Sequence, residues 1–165
     1  GTPVMWKTGH SFIKSKLIET KALLAGEMSG HLFFKERWYG FDDGLYAGAR
    51  LLELLSREAD INATLNNLPD SINTPELQVR TSEGENHTLI AQLQKNAVFN
   101  NPQQVITIDG LRVEYSDGFG LARASNTTPV IVLRFEADNE PALKRIQEDF
   151  RHNILHAKPD AQLPF

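Results

Sequence analysis

The fold is decided by the stretch Val105-Ile-Thr-Ile-Asp-Gly-Leu-Arg-Val-Glu-Tyr-Ser-Asp-Gly-Phe-Gly-Leu-Ala-Arg-Ala124. Two apolar runs flank Asp109-Gly110, and a two-residue Asp-Gly between such runs predicts a tight β-hairpin. Asp117-Gly118 marks a second turn into a third strand over Phe119–Ala124. A further apolar run, Val130–Ala137, predicts the fourth strand. The pattern therefore predicts an antiparallel meander of four strands.

Helical patterns precede and follow this meander. A capping-box sequence over residues 82–85 leads into a helix with Leu89 and Leu93 on one face. The last helix is predicted to begin at Asp138-Asn139, because Pro141 then falls in its first turn. A short strand is predicted over residues 76–80. Residues 71–165 therefore read as an α+β unit with two helices against the sheet.

Residues 1–70 have a different pattern, in which short strands alternate with helices. Strands are predicted at 4–6, 22–25 and 31–34, and helices at 11–20 and from Asp42-Asp43 to about Arg57. Leu45 and Leu52 lie on one stripe of the second helix. This alternation predicts an α/β layer. Turn-forming residues at 66–71 predict the boundary between the two units.

Composition restricts the class of protein. The 165 residues include no cysteine, and 17 Lys plus Arg against 21 Asp plus Glu give a net charge of −4. Lack of cysteine excludes a thiol nucleophile and Cys-ligated zinc, and the acidic balance argues against a general nucleic-acid binder. No apolar run approaches a membrane span, so we expect no membrane partner, and the lack of cysteine fits a reducing cytoplasm, which is the expected location. The first residues read as the middle of a longer chain.

The loop Arg123-Ala-Ser-Asn-Thr-Thr-Pro129 is a candidate phosphate site. Arginine offers a planar fork of donors for phosphate, and a tight turn can point several amide groups at an anion. The alternative is a polar turn with its arginine in solvent, and spacing alone does not decide between them.

The loops at residues 7–10 and 26–31 are candidate ligand sites. Glu27 and Ser29 offer acceptors for vicinal hydroxyl groups, and His31 can transfer a proton. The alternative is a hairpin with exposed polar residues. His10, His31 and Glu27 have the donor types of a zinc site, but no spacing fixes them, so no metal site is predicted.

Four segments together carry a resemblance to a known family. They are Lys-Thr-Gly-His (7–10), Gly-Glu-Met-Ser-Gly-His (26–31), Phe-Lys-Glu-Arg-Trp-Tyr-Gly-Phe-Asp-Asp-Gly (34–44) and the loop at 123–129. In this order they resemble the bacterial phosphomannomutase/phosphoglucomutase enzymes of the α-D-phosphohexomutase superfamily. The resemblance runs over nearly the whole chain.

The resemblance implies a fold and a division of labour. Residues 1–70 would be the C-terminal part of the family's α/β domain III, which recognises sugar hydroxyls. Residues 71–165 would be its TATA-binding-protein-like α+β domain IV, an antiparallel four-stranded sheet with two helices that binds phosphate. The implied substrate-binding residues are His10, Glu27, Ser29, His31, Arg123, Ser125, Asn126 and Thr127, with His31 also a participant in proton transfer.

The resemblance also implies an activity that this chain carries only in part. The intact enzyme would move a phosphoryl group between O1 and O6 of a hexose through a bisphosphorylated intermediate, using Mg²⁺. The family's phosphoserine loop, Thr-Ala-Ser-His-Asn-Pro, and its magnesium loop, Asp-Gly-Asp-x-Asp-Arg, do not occur here. We expect both in N-terminal domains of the same protein, and we expect this chain alone to be inactive. The alternative is a non-catalytic sugar-phosphate-binding or interaction module.

Overall fold

The computed structural model describes residues 1–165, which divide into two compact units, Gly1–Pro69 and Asp70–Phe165. The first unit contains α1 (His10–Thr20), β1 (Leu24–Gly26), β2 (Leu32–Phe34), α2 (Gly44–Leu55) and α3 (Ile61–Asn66). The second contains β3 (Ile72–Asn73), β4 (Leu77–Arg80), α4 (Glu85–Asn96), β5 (Gln104–Ile106), β6 (Leu111–Tyr115), β7 (Gly118–Ala124), β8 (Val130–Ala137) and α5 (Glu140–Ala157). No helix is both long and apolar enough to cross a membrane.

An antiparallel hairpin organises the first unit. Strands β1 and β2 pair from Leu24 opposite Phe34 to Gly26 opposite Leu32, so the predicted strands are confirmed at shifted bounds. Phe33, at the middle of β2, is fully buried, and its backbone forms an isolated bridge with Asp42. The hairpin and its buried phenylalanine therefore fix the start of the segment that leads into α2.

Helix α2 packs through its polar face rather than through its leucines. Asp43 caps the helix by accepting a hydrogen bond from the Tyr46 amide. Tyr46 stacks on Trp38 with ring centroids 4.4 Å apart, and the Arg50 guanidinium lies 4.9 Å from the Phe34 ring centroid. The predicted stripe is exposed, with Leu45 90% accessible. The predicted helix and its cap are confirmed. Aromatic and arginine side chains, rather than the apolar stripe, make the contacts of this helix within the unit.

Two details of the first unit differ from expectation. Residues 4–6 form no strand, because no neighbouring strand pairs with them, and Val4 and Met5 are exposed. Helix α3 was not predicted, since its six residues present no clear apolar period; the Asp60 side chain caps it by accepting from the Ala63 amide.

An antiparallel sheet forms the second unit. Its order is β3-β8-β7-β6-β5. Strands β3 and β4 pair with the same edge of β8: β4 pairs with the N-terminal half of β8, and β3 pairs with the C-terminal end of β8. The predicted four-strand meander is present as β5 to β8. The strand predicted over residues 76–80 is confirmed as β4, and β3 is a further strand that was not predicted. Helices α4 and α5 cover the face that carries Val113, Leu133 and Phe135.

The β5–β6 connection is longer than the predicted two-residue turn. Ile106 is the last residue of β5 and pairs with Arg112, which leaves residues 107–110 as the loop. Gln94 of α4 donates to the Gly110 carbonyl at 2.6 Å and so holds this loop. Gly110 is required by close approach: at φ +84° an added Cβ would lie 2.9 Å from the Cα of Arg123.

A buried hydrogen-bonded group joins α5 to the sheet. Asp149, which is 7% exposed, accepts from the Tyr115 hydroxyl at 2.9 Å and from the Asn100 amide at 3.2 Å. Burial of the ring and the hydrogen bond to Asp149 raise the pKa of the Tyr115 phenol above its ordinary value of 10.0. The neutral phenol is therefore favoured more strongly in the folded state than in the unfolded state.

This raised pKa gives a testable pH dependence. Stability from the neutral Tyr115 phenol is fully present below about pH 10, the ordinary tyrosine pKa, and is lost as the pH rises above it. Tyr115→Phe should lower the free energy of unfolding at pH 7 by about 1.5–3 kcal/mol, because a bond to a charged acceptor is lost. In urea unfolding, the difference in unfolding free energy between wild type and Tyr115→Phe should shrink between pH 10 and 11.5. Tyr39→Phe, at a 74% exposed ring, is the matched control and should change neither; a constant difference across this pH range would contradict the assignment.

Candidate functional site

The two candidate loops of the first unit are joined by a hydrogen bond from backbone to side chain. The Gly9 amide donates to Oε2 of Glu27 at 3.0 Å. The other carboxylate oxygen, Oε1, is buried and has no hydrogen-bond partner. The loop that precedes His10 therefore contacts the Glu27 carboxylate through Gly9, and the second oxygen of that carboxylate remains an unpaired acceptor.

The turn that carries Glu27 is held by its own backbone. The Glu27 amide donates to the His31 carbonyl at 2.9 Å, and the Gly30 amide donates to the Glu27 carbonyl at 3.0 Å. Gly30 adopts φ +92°, a conformation that favours glycine. Ser29, between these bonds, is exposed, as is His10 at the first position of α1. Ser29 and His10 are therefore presented to solvent rather than packed into the unit.

His31 is paired with a carboxylate that the sequence analysis did not single out. Its Nδ1 lies 2.6 Å from Oδ2 of Asp42. Asp42 was interpreted together with Asp43 as part of a helix start, but the two have different roles. Asp43 caps α2 and accepts from the Trp38 indole at 3.2 Å, whereas Asp42 contacts only the histidine side chain. No sequence signal separates them, because the pairing depends on the backbone bridge to Phe33.

The loop at residues 123–129 joins β7 to β8 and folds around the Ser125 hydroxyl. Ser125 Oγ accepts from the amides of Thr127 at 3.3 Å and Thr128 at 3.2 Å. It also lies 3.0 Å from the Thr128 hydroxyl. Donors of consecutive residues therefore converge on one oxygen atom, which is the arrangement that an anion-binding turn uses.

Asn86, in the first turn of α4, supports this loop from below. It is 3% exposed, and its side-chain amide donates to the Ser125 carbonyl at 2.9 Å, with the carbonyls of Thr128 and Val130 each at 3.4 Å. These contacts anchor the backbone of the loop to the start of α4. Sequence reasoning missed Asn86, because nothing in its local sequence shows that it reaches a loop 39 residues away.

Arg123 precedes the loop on β7 and lies opposite Val132 of β8. Its neighbours Ala122 and Ala124 are buried beneath the helices, so the alternation of a strand places the Arg123 side chain on the other face of the sheet. It forms no ion pair within the chain, unlike Arg145, which pairs with Asp117. Asn126 and Thr127 are exposed at the tip of the loop. The second unit therefore has an unpaired guanidinium on the strand that leads into the loop with the converging amide groups.

The side chains of this structure form no candidate metal site. No three His, Cys, Asp or Glu residues come together in a way that could hold a metal ion. His10, His31 and Glu27, whose types suit zinc, do not form such a group.

Two family models match the chain and divide it between them. Residues 1–72 match "Phosphoglucomutase/phosphomannomutase, alpha/beta/alpha domain III", and residues 76–153 match the C-terminal domain of the same family. A phosphoglucomutase of Neisseria meningitidis serogroup A is 59% identical over 99% of this chain and 36% of its own length. A phosphomannomutase/phosphoglucomutase of Pseudomonas aeruginosa is 52% identical over 100% of this chain and 36% of its own length.

A solved structure agrees in fold as well as in sequence. The crystal structure of a phosphoglucomutase/phosphomannomutase family protein from Burkholderia thailandensis superposes with a TM-score of 0.92 at 64% identity. The match covers 99% of this chain and 34% of that one. The chain thus spans about a third of the length of the relatives it matches, at their domains III and IV. It belongs to the phosphoglucomutase/phosphomannomutase family and carries domain III and C-terminal domain sequence of that family.

Proposed function

We propose that this chain is the substrate-binding C-terminal part of a phosphohexomutase that interconverts hexose 1-phosphates and hexose 6-phosphates. In the full-length protein, phosphoryl transfer would pass through a bisphosphorylated sugar. The observation that carries the proposal is the loop at 123–129, where amides of Thr127 and Thr128 converge on one oxygen atom and the preceding strand carries the unpaired Arg123. Converging amide groups and a free guanidinium are what a phosphate monoester requires.

The residues of the first unit supply the complementary chemistry. Glu27 has a carboxylate oxygen without a partner, which suits a hydroxyl donor, and Ser29 and His10 are open to solvent on the adjoining loops. A phosphohexose carries a phosphate for the loop at Arg123 and hydroxyl groups for Glu27 and Ser29. We therefore propose that Arg123, Ser125, Asn126 and Thr127 bind the phosphate that is not transferred, and that His10, Glu27, Ser29 and His31 contact the sugar.

The phosphoryl donor and its Mg²⁺ are proposed to lie in the rest of the full-length protein. The serine and magnesium loops of the family do not occur in this sequence, and its acidic and histidine residues form no metal-binding group. Mg²⁺ would neutralise charge on the phosphoryl group in transfer. This chain would bind and orient the sugar, with a hexose 1,6-bisphosphate as the intermediate and the cytoplasm as the proposed compartment.

The first experiment compares the full-length protein with the isolated chain. With glucose 1-phosphate or mannose 1-phosphate, hexose 1,6-bisphosphate and Mg²⁺, we expect turnover by the full-length protein and none by the 165-residue chain. Phosphoryl transfer needs an acceptor group and charge neutralisation, which this sequence does not supply. Turnover by the pure chain would contradict the proposal that the phosphoryl donor and the Mg²⁺ site lie in the rest of the full-length protein. Binding of phosphohexose without turnover by the full-length protein would favour the non-catalytic binding module.

Glu27 provides a test of sugar recognition. In the full-length protein, Glu27→Ala should reduce kcat/KM about 10- to 100-fold, because hydrogen bonds to a charged group contribute about 1.5–3 kcal/mol. Glu27→Gln should lose less, since an amide oxygen still accepts from the Gly9 N–H. Both variants should unfold in urea within about 1 kcal/mol of wild type, because one backbone amide is affected.

A matched control separates recognition from a general surface effect. Glu19→Ala removes an exposed carboxylate of α1 that pairs only with Lys16, and its kinetics should equal those of wild type. Glu27→Ala kinetics that match those of Glu19→Ala would place Glu27 among ordinary surface carboxylates.

Arg123 provides a test of phosphate binding. Arg123→Lys keeps the positive charge but loses the planar pair of donors, so the KM for the phosphosugar should rise about tenfold or more. Competition by inorganic phosphate should weaken in parallel, and kcat should change less. Arg145→Lys, at an arginine paired with Asp117, is the control and should keep the wild-type KM. An unchanged KM in Arg123→Lys would assign the phosphate to other groups.

A further inference from the structure

The imidazole of His31 is held by a carboxylate through one of its two nitrogens. Nδ1 lies 2.6 Å from Oδ2 of Asp42, and the two side chains remain 51% and 38% exposed. An ionised carboxylate accepts hydrogen bonds and donates none, so the proton of this pair resides on Nδ1 when the ring is neutral. Nε2 is then the unprotonated nitrogen, and it is the ring atom that can take up or release a proton.

The position of Asp42 is fixed by the fold and not by the pairing with His31. The Asp42 backbone forms a bridge to Phe33, which is fully buried in β2, two residues after His31. The next residue, Asp43, is held by the Tyr46 amide and the Trp38 indole. The carboxylate is therefore presented to His31 by a rigid support on both sides.

Stability does not account for this arrangement. Exposed ion pairs contribute about 0–1 kcal/mol, and the first unit already has an ion-pair network of Arg37, Arg50 and Glu53 on α2 and the loop before it. What the Asp42 contact does determine is the tautomer and the direction of the ring. A tautomer fixed by a carboxylate is a feature of histidines that exchange protons during catalysis.

We propose that Asp42 is a positioning residue for His31, keeping Nε2 as the proton-exchanging atom of the phosphoryl-transfer site. The proposal rests on the proposed function. In the step it serves, a hexose hydroxyl oxygen bonds to the phosphorus of a phosphate ester of the full-length protein, and the ester oxygen leaves with the bonding electron pair. The hydroxyl proton passes to Nε2, and the Asp42 carboxylate stabilises the imidazolium. In the reverse step Nε2 returns the proton to the departing sugar oxygen.

The first measurement reads the tautomer directly. Full-length protein labelled with ¹⁵N-histidine gives long-range ¹H–¹⁵N correlations that distinguish Nδ1–H from Nε2–H, and loss of signals in His31→Gln assigns the ring. We expect His31 to carry its proton on Nδ1. Asp42→Asn should convert the ring to the Nε2–H tautomer or to a mixture, because the side-chain amide can donate to Nδ1. A wild-type Nε2–H tautomer, or an unchanged tautomer in Asp42→Asn, would overturn the proposal.

The second measurement is kinetic. General acid–base catalysis accelerates a reaction by about 10²–10⁴-fold. A His31 ring in the wrong tautomer or orientation should lose part of this acceleration, so Asp42→Asn should lower kcat by about 10- to 100-fold. KM should stay within about threefold, since Asp42 does not touch the substrate. In a His31→Gln background, Asp42→Asn should have no further effect, because the group it positions is gone. Additive losses in the double variant would overturn the proposal.

Control variants keep the test independent of folding and of the proposed function. Asp60→Asn is the matched control, because asparagine can also cap α3. In this variant the His31 tautomer and the kinetic constants should equal those of wild type. Asp42→Glu keeps the carboxylate and should recover part of the kcat and the Nδ1–H signal. If Asp42→Asn fails to fold, an Nε2–H ring with full kcat in Asp42→Glu overturns the proposal. If the wild-type protein has no mutase activity, the proposed function fails, while the tautomer measurement still reports on the Asp42–His31 pairing.

Discussion

The pairing of β7 with β8 is the constraint on which the second unit depends. The strands stay in register from Gly118 opposite Ala137 to Ala124 opposite Ile131, and their inward side chains form the centre of the core. The loop at 123–129 is the turn at the end of this ladder, so its position follows from the packing beneath the sheet. The polar loop is thereby attached to the longest strand pairing of the unit, and such a scaffold is how binding loops keep their geometry.

The first unit also attaches its candidate binding loops to a packed core, but this core is much smaller. Its buried hydrophobic residues are Leu17 and Phe33, and the bridge from Phe33 to Asp42 connects the hairpin to the start of α2. Three of the residues proposed to contact sugar, Glu27, Ser29 and His31, lie in the turn of this hairpin. Because the core is small, hydrogen bonds such as that from the Gly9 amide to Glu27 have a larger share in fixing the site. Substitutions there affect geometry and chemistry together.

The sequence predicted the elements that local pattern determines and missed those that depend on distant contacts. The meander, its helices and the Asp43 cap follow from periodicity and capping chemistry, and they are confirmed. The length of the β5–β6 loop was wrong, because Gln94 of α4 holds a wider turn than Asp109-Gly110 alone would make. The separate role of Asp42 and the support from Asn86 could not be predicted, since each depends on a contact made only after folding.

The Ser125 hydroxyl occupies the place that a ligand oxygen would take in the proposed phosphate loop. It already accepts from the two amides that would serve a phosphate, so these donors are satisfied within the loop. A ligand must exchange places with this internal oxygen, and the net gain on binding is reduced accordingly. Modest retention would suit the proposed reaction, in which a bisphosphorylated intermediate would release one phosphate and return with the other. Under that proposal, the internal hydroxyl would favour exchange of the bound phosphate over tight binding.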